Sequence, residues 1–371
     1  MIRRYLPKST EELIQWYERY AAPVSLLVGF IADNVLFRSI DLWATAFTMT
    51  LYLTCAVAGI FALNFVETGR VRNAFVLRIA PFFPVVVQFA FGGLFSGFFV
   101  LYSQSATLAV SWISVVILAL LLVGNERFRL RYRLFSFQVS VLFIAILGFL
   151  IFLVPLILKR IGPEIFLISS IASVALIALY IGLVHRVMPE FLQPNLKKMI
   201  RSIGTIFLIF NVLYFINAIP PLPLALKEAG VYHRIERLPA QAGVGYEYRL
   251  LYEALPWYRE YLPFAGVYHR TSGESLYAFS AIFAPSGLST TIYHEWQNYD
   301  SASEEWTTIS TVQFQVVGGR DGGYRGFSMT SNPLSGKWRV NVLTEYGQVI
   351  GRISFKVVDV SEPIHLEEEV L

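Results

Sequence analysis

The sequence predicts two fold classes in series: an α-helical transmembrane bundle of about seven helices, then an all-β, immunoglobulin-like antiparallel sandwich. Three observations predict it. Long apolar runs, nearly free of charge, fill the chain as far as Ile219. The loops between these runs are alternately rich and poor in Lys and Arg. From Leu276 onward the apolar residues recur at every second position, the period of a half-buried strand.

Composition agrees with the first half of that reading. Of 371 residues, 55% are hydrophobic and 15% charged, against about 45–50% and about 25% in soluble globular chains. The net charge of +4 is spread between apolar runs, where membrane topology requires basic residues, and nucleic acid is not expected as a partner. The single cysteine, Cys55, lies inside an apolar run, so neither a disulfide framework nor a cysteine-based metal site is expected. Residues 1–20 are charged and no small-residue cleavage site follows the first apolar run, so no cleavable signal peptide is expected.

Residues 1–20 form the first segment. Ser9-Thr10 precedes Glu11 and Glu12, a hydroxyl cap with acids in the first turn. Leu13, Trp16, Tyr17 and Tyr20 then share a side, which gives an amphipathic helix lying on the membrane surface or packed on the cytoplasmic end of the bundle. The bundle is residues 21–219, with apolar runs at 21–37, 42–65, 79–102, 106–123, 134–158, 165–184 and 203–219. These lengths suit a hydrocarbon core that takes roughly 17–25 helical residues. The first run carries Asp33 and Asn34 near its far end and either spans or is re-entrant.

The loops set the parity. Arg3, Arg4, Lys8 and Arg19 precede the first run; Arg70, Arg72 and Arg78 fill the second loop; Arg127, Arg129, Arg131 and Arg133 the fourth; Arg186, Lys197, Lys198 and Arg201 the sixth. The alternate loops hold Arg38, Lys159 and Arg160. Cytoplasmic loops are the basic ones, so seven crossings put the N-terminus in the cytoplasm and the C-terminal domain on the far side.

Polar groups inside the runs are few. Asp33, with Asn34 beside it, is a functional candidate because intramembrane acids are costly; the competing reading pairs it with Arg38 or the interface. Asn64, Gln88, Gln138, Asn211 and Asn217 are expected to bond between helices, and Gly93-x-x-x-Gly97 to let two helices approach closely. Pro81, Pro84 and Pro155 are expected to kink their helices. No broken-helix pair recurs in two halves, which leaves a transporter or channel as the third functional reading.

Residues 220–270 form a connector. Pro220, Pro221 and Pro223 stop the last helix, and the five tyrosines and Trp257 of residues 245–263 suit one or two interfacial helices or a ligand platform. Gly230-Val-Tyr-His-Arg234 reappears as Gly266-Val-Tyr-His-Arg270 and is read as two similar strand starts. Residues 271–371 form the aqueous domain. Ile292, His294 and Trp296 alternate with polar neighbours, as do Val312, Phe314 and Val316, then Trp338, Val340 and Val342, then Ile353, Phe355 and Val357. Tyr346-Gly347 joins the last two runs as a hairpin turn, with Gly347 supplying positive φ. The acidic stretch Glu367 to Glu369 is read as a solvated end. His233, His269 and His294 lack zinc-like spacing, and no P-loop, dinucleotide or nucleophile-elbow pattern occurs, so no metal and no cofactor are expected.

His294-Glu-Trp296, Tyr324-Arg-Gly-Phe-Ser328, Gly336-Lys-Trp-Arg-Val340, Tyr346-Gly347 and Ile353-Ser-Phe355 together resemble the bacterial domain-of-unknown-function family 2914 over roughly residues 276–358. The resemblance implies a bacterial origin and a C-terminal sandwich, and supplies no activity. On these motifs His294, Trp296, Arg325, Ser328 and Trp338 are the candidate ligand or partner contacts. Arg325 and Ser328 suit a carboxylate, phosphate or sugar hydroxyl, while His294 between apolar neighbours also reads as a satisfied core residue. The leading functional reading is a bacterial inner-membrane protein, embedded in the lipid bilayer, whose extracytoplasmic sandwich binds an envelope protein or glycan. The alternative is an enzyme acting on a lipid-linked substrate at the outer leaflet. A homo-oligomer is compatible with either.

Overall fold

The computed structural model describes residues 41–105, 112–113, 115–121, 134–239, 246–253, 266–271, 273–320, 322–331, 333–362 and 364–371. Two compact units divide the chain, a helical one that ends at Leu222 and a β-rich one that is chiefly Pro223–Leu371 and also takes in Gln104–Ser111. The run at 21–37 with Asp33 and Asn34, the amphipathic N-terminal segment, half of the run at 106–123 and the basic loop at 127–133 lie outside the described residues.

In the helical unit, α1 (Leu42–Glu67) starts where the Asp41 carboxylate accepts from the backbone N–H groups of Trp43 and Ala44, each at 3.0 Å, satisfying donors that a helix start leaves orphaned. A short helix α2 (Ala74–Ile79) and one 3-10 turn (Ala80–Phe82) lead into α3 (Phe83–Ser105). Pro81 therefore sits in the turn and Pro84 in the first turn of α3, where a missing N–H is tolerated. Neither lies in a helix interior as expected; Pro155 does, within α4 (Phe135–Leu158). Then follow α5 (Pro163–Val187), α6 (Pro189–Leu192) and α7 (Leu196–Phe215). Five helices among the described residues are long and apolar enough to cross a membrane. The last begins earlier and ends earlier than the apolar run at 203–219 suggests. Lys197, Lys198 and Arg201 are good helix formers, so falling hydropathy marks a change of solvent and not the end of the helix. At the other end, Asn217 adopts φ +60° and the Ala218 N–H folds back to the Leu213 carbonyl at 2.8 Å.

Of the polar residues singled out in the runs, Asn64 and Gln138 join helices as expected, whereas Asn211 donates back to the Phe207 carbonyl of its own helix at 2.8 Å. Asn64 Nδ2 donates to Gln138 Oε1 at 2.7 Å, linking α1 to α4, both side chains being buried. A Cβ on Gly93 would fall 2.5 Å from the Tyr52 ring, and one on Gly97 2.5 Å from Met49 Cε, so the Gly-x-x-x-Gly face of α3 is where α1 crosses it. Ser140 and Ser202 hydroxyls meet at 2.7 Å between α4 and α7. Arg70, after α1, donates to the Val187 carbonyl at 2.6 Å and lies 3.1 Å from Glu190. The C-terminal ends of α1 and α5 are thus at the same end of the unit.

Among the described residues the β-rich unit has eleven strands: β1 (Ala225–Tyr232), β2 (Arg234–Pro239), β3 (Tyr246–Glu253), β4 (Gly266–Arg270), β5 (Leu276–Phe283), β6 (Ser289–Asp300), β7 (Glu305–Val317), β8 (Tyr324–Thr330), β9 (Gly336–Thr344), β10 (Val349–Asp359) and β11 (Leu366–Val370). They form three sheets with orders β1-β5-β8, β4-β10-β9-β6-β7 and β11-β3-β2. All pairings are antiparallel except β4 with β10, which is parallel.

Two expectations are corrected here. The β unit does not begin at 271, because β1 to β4 come from the stretch read as a connector. Residues 246–253 of that stretch are a strand and not an interfacial helix: β3 is paired on both edges, by β2 and β11, and Tyr248 and Leu250 point into the interior. Tyr and Leu at alternate positions serve a half-buried strand as well as a membrane-interface helix. The acidic stretch at 367–369 keeps its side chains in solvent, but its backbone is β11.

Trp296, Trp338, Val340, Phe355, Val357 and Tyr268 from the five-stranded sheet pack on Leu276 and Ala278 of β5. Ile235, Tyr248 and Leu250 of the third sheet pack on Phe279 and Ala281 of the same strand. Strand β5 is therefore buried from both sides. Gly347 turns the β9–β10 hairpin at φ +75°, as expected.

Candidate functional site

Three polar constellations stand out in the β unit. The first surrounds His294, which β6 sends inward between Ile292 and Trp296. Its Nε2 lies 2.8 Å from Ser280 Oγ on β5, and its Nδ1 lies 2.9 Å from Ser328 Oγ on β8. Trp296 Nε1–H donates to the same Ser328 oxygen at 2.9 Å. The imidazole is fully buried, and burial without a charged partner pushes its pKa down to about 4. His294 is therefore a neutral group that ties three strands through hydroxyls. No carboxylate orients it, and no solvent reaches it.

The five candidates divide accordingly. His294, Trp296 and Ser328 come together in this node. Trp338 packs against it, its ring 6.4 Å from that of Trp296, and its Nε1–H donates to the Leu334 carbonyl at 2.7 Å. All four are buried, so they hold sheets together and are not available to a surface partner. Arg325 is separate. It lies three residues from Ser328 on β8, so the two project to opposite faces and do not grip one anion jointly.

The second constellation escaped sequence reasoning. The repeated pentapeptides carry His233 and His269 at their fourth position, and both histidines converge on Glu253, the last residue of β3. His233 occupies the break between β1 and β2. Its Nε2 is 3.1 Å from Glu253 Oε1 and its Nδ1 is 2.5 Å from Glu274 Oε1. His269, in β4, approaches Glu253 Oε2 through Nδ1 at 2.8 Å, and its backbone N–H donates to Oε1 at 2.6 Å. Glu274 is held in turn by the N–H and hydroxyl of Thr271, at 3.0 and 2.9 Å. Tyr268 stacks on the His233 ring with centroids 4.0 Å apart.

The His233 side chain is 4% exposed. Burial opposes its charge, but the hydrogen bonds and charges of Glu253 and Glu274 outweigh it and hold its pKa above the ordinary value. Burial likewise works against the charges of Glu253 and Glu274. Their bonds to His233, to His269 for Glu253 and to Thr271 for Glu274, prevail and hold both below the carboxylate range. The arrangement favours the imidazolium form, between two carboxylates, where strands of all three sheets meet. Among the described residues no group of three or more His, Cys, Asp or Glu is arranged to hold a metal ion; both His233 nitrogens already face carboxylates. The sequence signal that could have led here is the pair of identical pentapeptides with a glutamate-terminated strand between them.

The third constellation is the outer face of the five-stranded sheet, opposite the Trp296 core. Register places Glu295 across from Asn341, Gln297 across from Arg339, and Asn341 across from Arg352. Asn341 Nδ2 donates to Glu295 Oε2 at 2.8 Å and to Gln297 Oε1 at 3.2 Å, while Asn341 Oδ1 accepts from Arg352 Nε at 2.7 Å. Gln297 Oε1 also accepts from Arg339 Nε at 2.6 Å. Thr308 on β7 accepts from Gln297 at 3.0 Å and donates to Glu295 at 3.1 Å. Beside this ladder, the Arg339 guanidinium lies 4.2 Å from the centre of the Trp306 ring. Tyr299 is 5.3 Å from Trp306, with Lys337 over it. The face offers fixed planar hydrogen-bonding groups and two aromatic rings.

Residues 289–357 match a family model described as "Protein of unknown function (DUF2914)". The match runs from β6 into β10 and contains the outer-face residues as well as His294, Trp296, Arg325, Ser328 and Trp338. No curated protein matches the chain. Among solved structures, a β-glucosidase from Listeria innocua in complex with gluconolactone aligns at 15% identity over 32% of this chain and 17% of its own, with a TM-score of 0.19. The chain thus spans about a sixth of that enzyme. The alkylpurine DNA glycosylase AlkC of Pseudomonas fluorescens, bound to DNA containing an abasic site analogue, aligns at 9% identity over 84% of this chain and 98% of its own, also with a TM-score of 0.19. Scores this low carry no argument about fold or activity.

Proposed function

We propose that this is a bacterial inner-membrane protein with seven crossings and a cytoplasmic N-terminus, whose β unit is an immunoglobulin-like sandwich outside the cytoplasm that binds an envelope glycan. The carrying observation is the outer face of the five-stranded sheet. Its amides, hydroxyls and guanidinium groups are locked in one network beside Tyr299 and Trp306, and aromatic rings with fixed polar neighbours suit sugar rings and hydroxyls. An enzyme on a lipid-linked substrate is less well supported: His294 is sealed in the core, and both His233 nitrogens are engaged.

The topology is supported by charge. The end of the helical unit where Arg70 meets Glu190 also carries Arg72, Arg186, Lys197, Lys198 and Arg201 in its loops and helix ends, as cytoplasmic ends do. Fusions after Leu371 test it. Alkaline phosphatase is expected to be active there and green fluorescent protein dark; the reverse pattern sinks the extracytoplasmic assignment. For the ligand, the purified full-length protein is expected to be retained on immobilised envelope polysaccharide, and Trp306→Ala to elute early. No retention of the wild type, or equal retention of the variant, contradicts glycan binding at this face.

A further inference from the structure

We propose that the glycan is acidic, and that Arg339 and Arg352 form the seat for one of its carboxylate groups. This rests on the glycan-binding reading and names the chemistry of that ligand. Each guanidinium is fixed through Nε alone, Arg339 by Gln297 at 2.6 Å and Arg352 by Asn341 at 2.7 Å. The two amides are bonded to each other at 3.2 Å, so the two arginines are set as a pair. A guanidinium held at Nε keeps four Nη–H donors in a planar fork that matches a carboxylate bidentately. Among the described residues no carboxylate lies within ion-pair distance of either guanidinium. The nearby carboxylate, Glu295, is bonded instead to Asn341 and Thr308.

The pair carries like charge that Glu295 offsets only in part. Burial on Trp306 lowers the pKa of Arg339, the charge of Arg352 lowers it further, and Glu295 opposes both. An arriving anion relieves that repulsion. The same face continues the sign, with Lys337 directly across from Lys356 on β9 and β10. Positive charge beside Tyr299 and Trp306 selects a sugar polymer that bears carboxylates over a neutral one.

The test uses full-length protein in nanodiscs of zwitterionic lipid, titrated calorimetrically with three probes: oligogalacturonate, dextran of equal length and glycerol phosphate. Oligogalacturonate is expected to bind, to weaken with added salt, and to weaken about tenfold in Arg339→Gln and in Arg352→Gln, the loss of one charge-assisted hydrogen bond in each. Arg352→Lys, which keeps the charge without the fork, is expected to fall between. Unchanged melting of the variants shows that the loss is local. Dextran binding as tightly as oligogalacturonate, through Trp306, overturns the acidic assignment and leaves glycan binding standing. Binding by neither polymer overturns both. Glycerol phosphate saturating the site at comparable affinity assigns it to a lipid headgroup and overturns the glycan. Full-strength oligogalacturonate binding by both glutamine variants removes the arginines from the site.

Discussion

His294 and His233 are buried histidines of one β unit, each bonded at both ring nitrogens, and they are kept in opposite charge states. His294 meets two hydroxyls, which can donate or accept as needed, so the cheapest buried form is the neutral ring. His233 meets two carboxylates, which only accept, so the ring must supply two N–H groups and carry the charge. His294 is the more deeply buried of the two, and the hydrogen-bonding capacity of the partners adds to that difference.

The contrast fixes how stability depends on pH. His294 titrates at about 4 in the folded chain and near 6.5 when unfolded. The unfolded chain binds the extra proton first, so stability is lost as pH falls from about 6.5 through 4. His233 is shifted the other way: its contribution is complete below the unfolded value and is lost as pH rises through the raised folded one. Glu253 and Glu274, held low, contribute above the ordinary carboxylate range and lose that contribution as pH falls through their folded values.

The largest expected effect comes from breaking the neutral node. Trp296→Ala removes a fully buried ring and the donor to Ser328; a loss of about 3–5 kcal/mol in urea unfolding is expected, and a loss below about 1 kcal/mol would show that the node is not integral to the core. Next is the acid limb itself. From pH 7 to 4, His294 is expected to account for on the order of 3 kcal/mol of lost stability. In His294→Gln that limb is expected to flatten, measured as urea midpoint against pH; an unaltered limb would assign it to the carboxylates instead. Third, Glu253→Gln takes a charge from between two histidines, and about 2–3 kcal/mol is expected. The same variant is expected to shrink the decline that sets in as pH rises past the ordinary histidine value, because Glu274 alone then holds the His233 proton. A decline unchanged in size argues against Glu253 as a holder of that proton. The smallest effect is His269→Ala, at about 1 kcal/mol or less, since that imidazole is 40% exposed. A larger loss would make it an equal partner of His233.

Legibility in the sequence followed the range of the interactions. Apolar runs and period-two strands are local signals, and the Asn64–Gln138 pair could be suspected because a polar group in oil needs a partner. The reading of His294 as a core residue came from its two apolar neighbours. Arg325 and Ser328 were grouped by proximity in sequence, although strand parity separates residues three apart. The Glu253 cluster was not legible because its members span residues 233 to 274 and meet only through pairing of three sheets. The strand that delivers Glu253 also carries tyrosines that fit a membrane interface equally well. Parallel pairing of β4 with β10 has no local signature at all.

The mutual backbone bonds of Tyr248 and Leu371, both 2.9 Å, and the β3–β11 ladder have a consequence for biogenesis. Synthesis delivers β3 long before β11, so one edge of the strand bearing Glu253 emerges with its peptide groups unsatisfied. Until residues 366–370 arrive, that edge is open to wrong neighbours, and a holdase that masks extended peptide would be the natural guardian of the nascent chain.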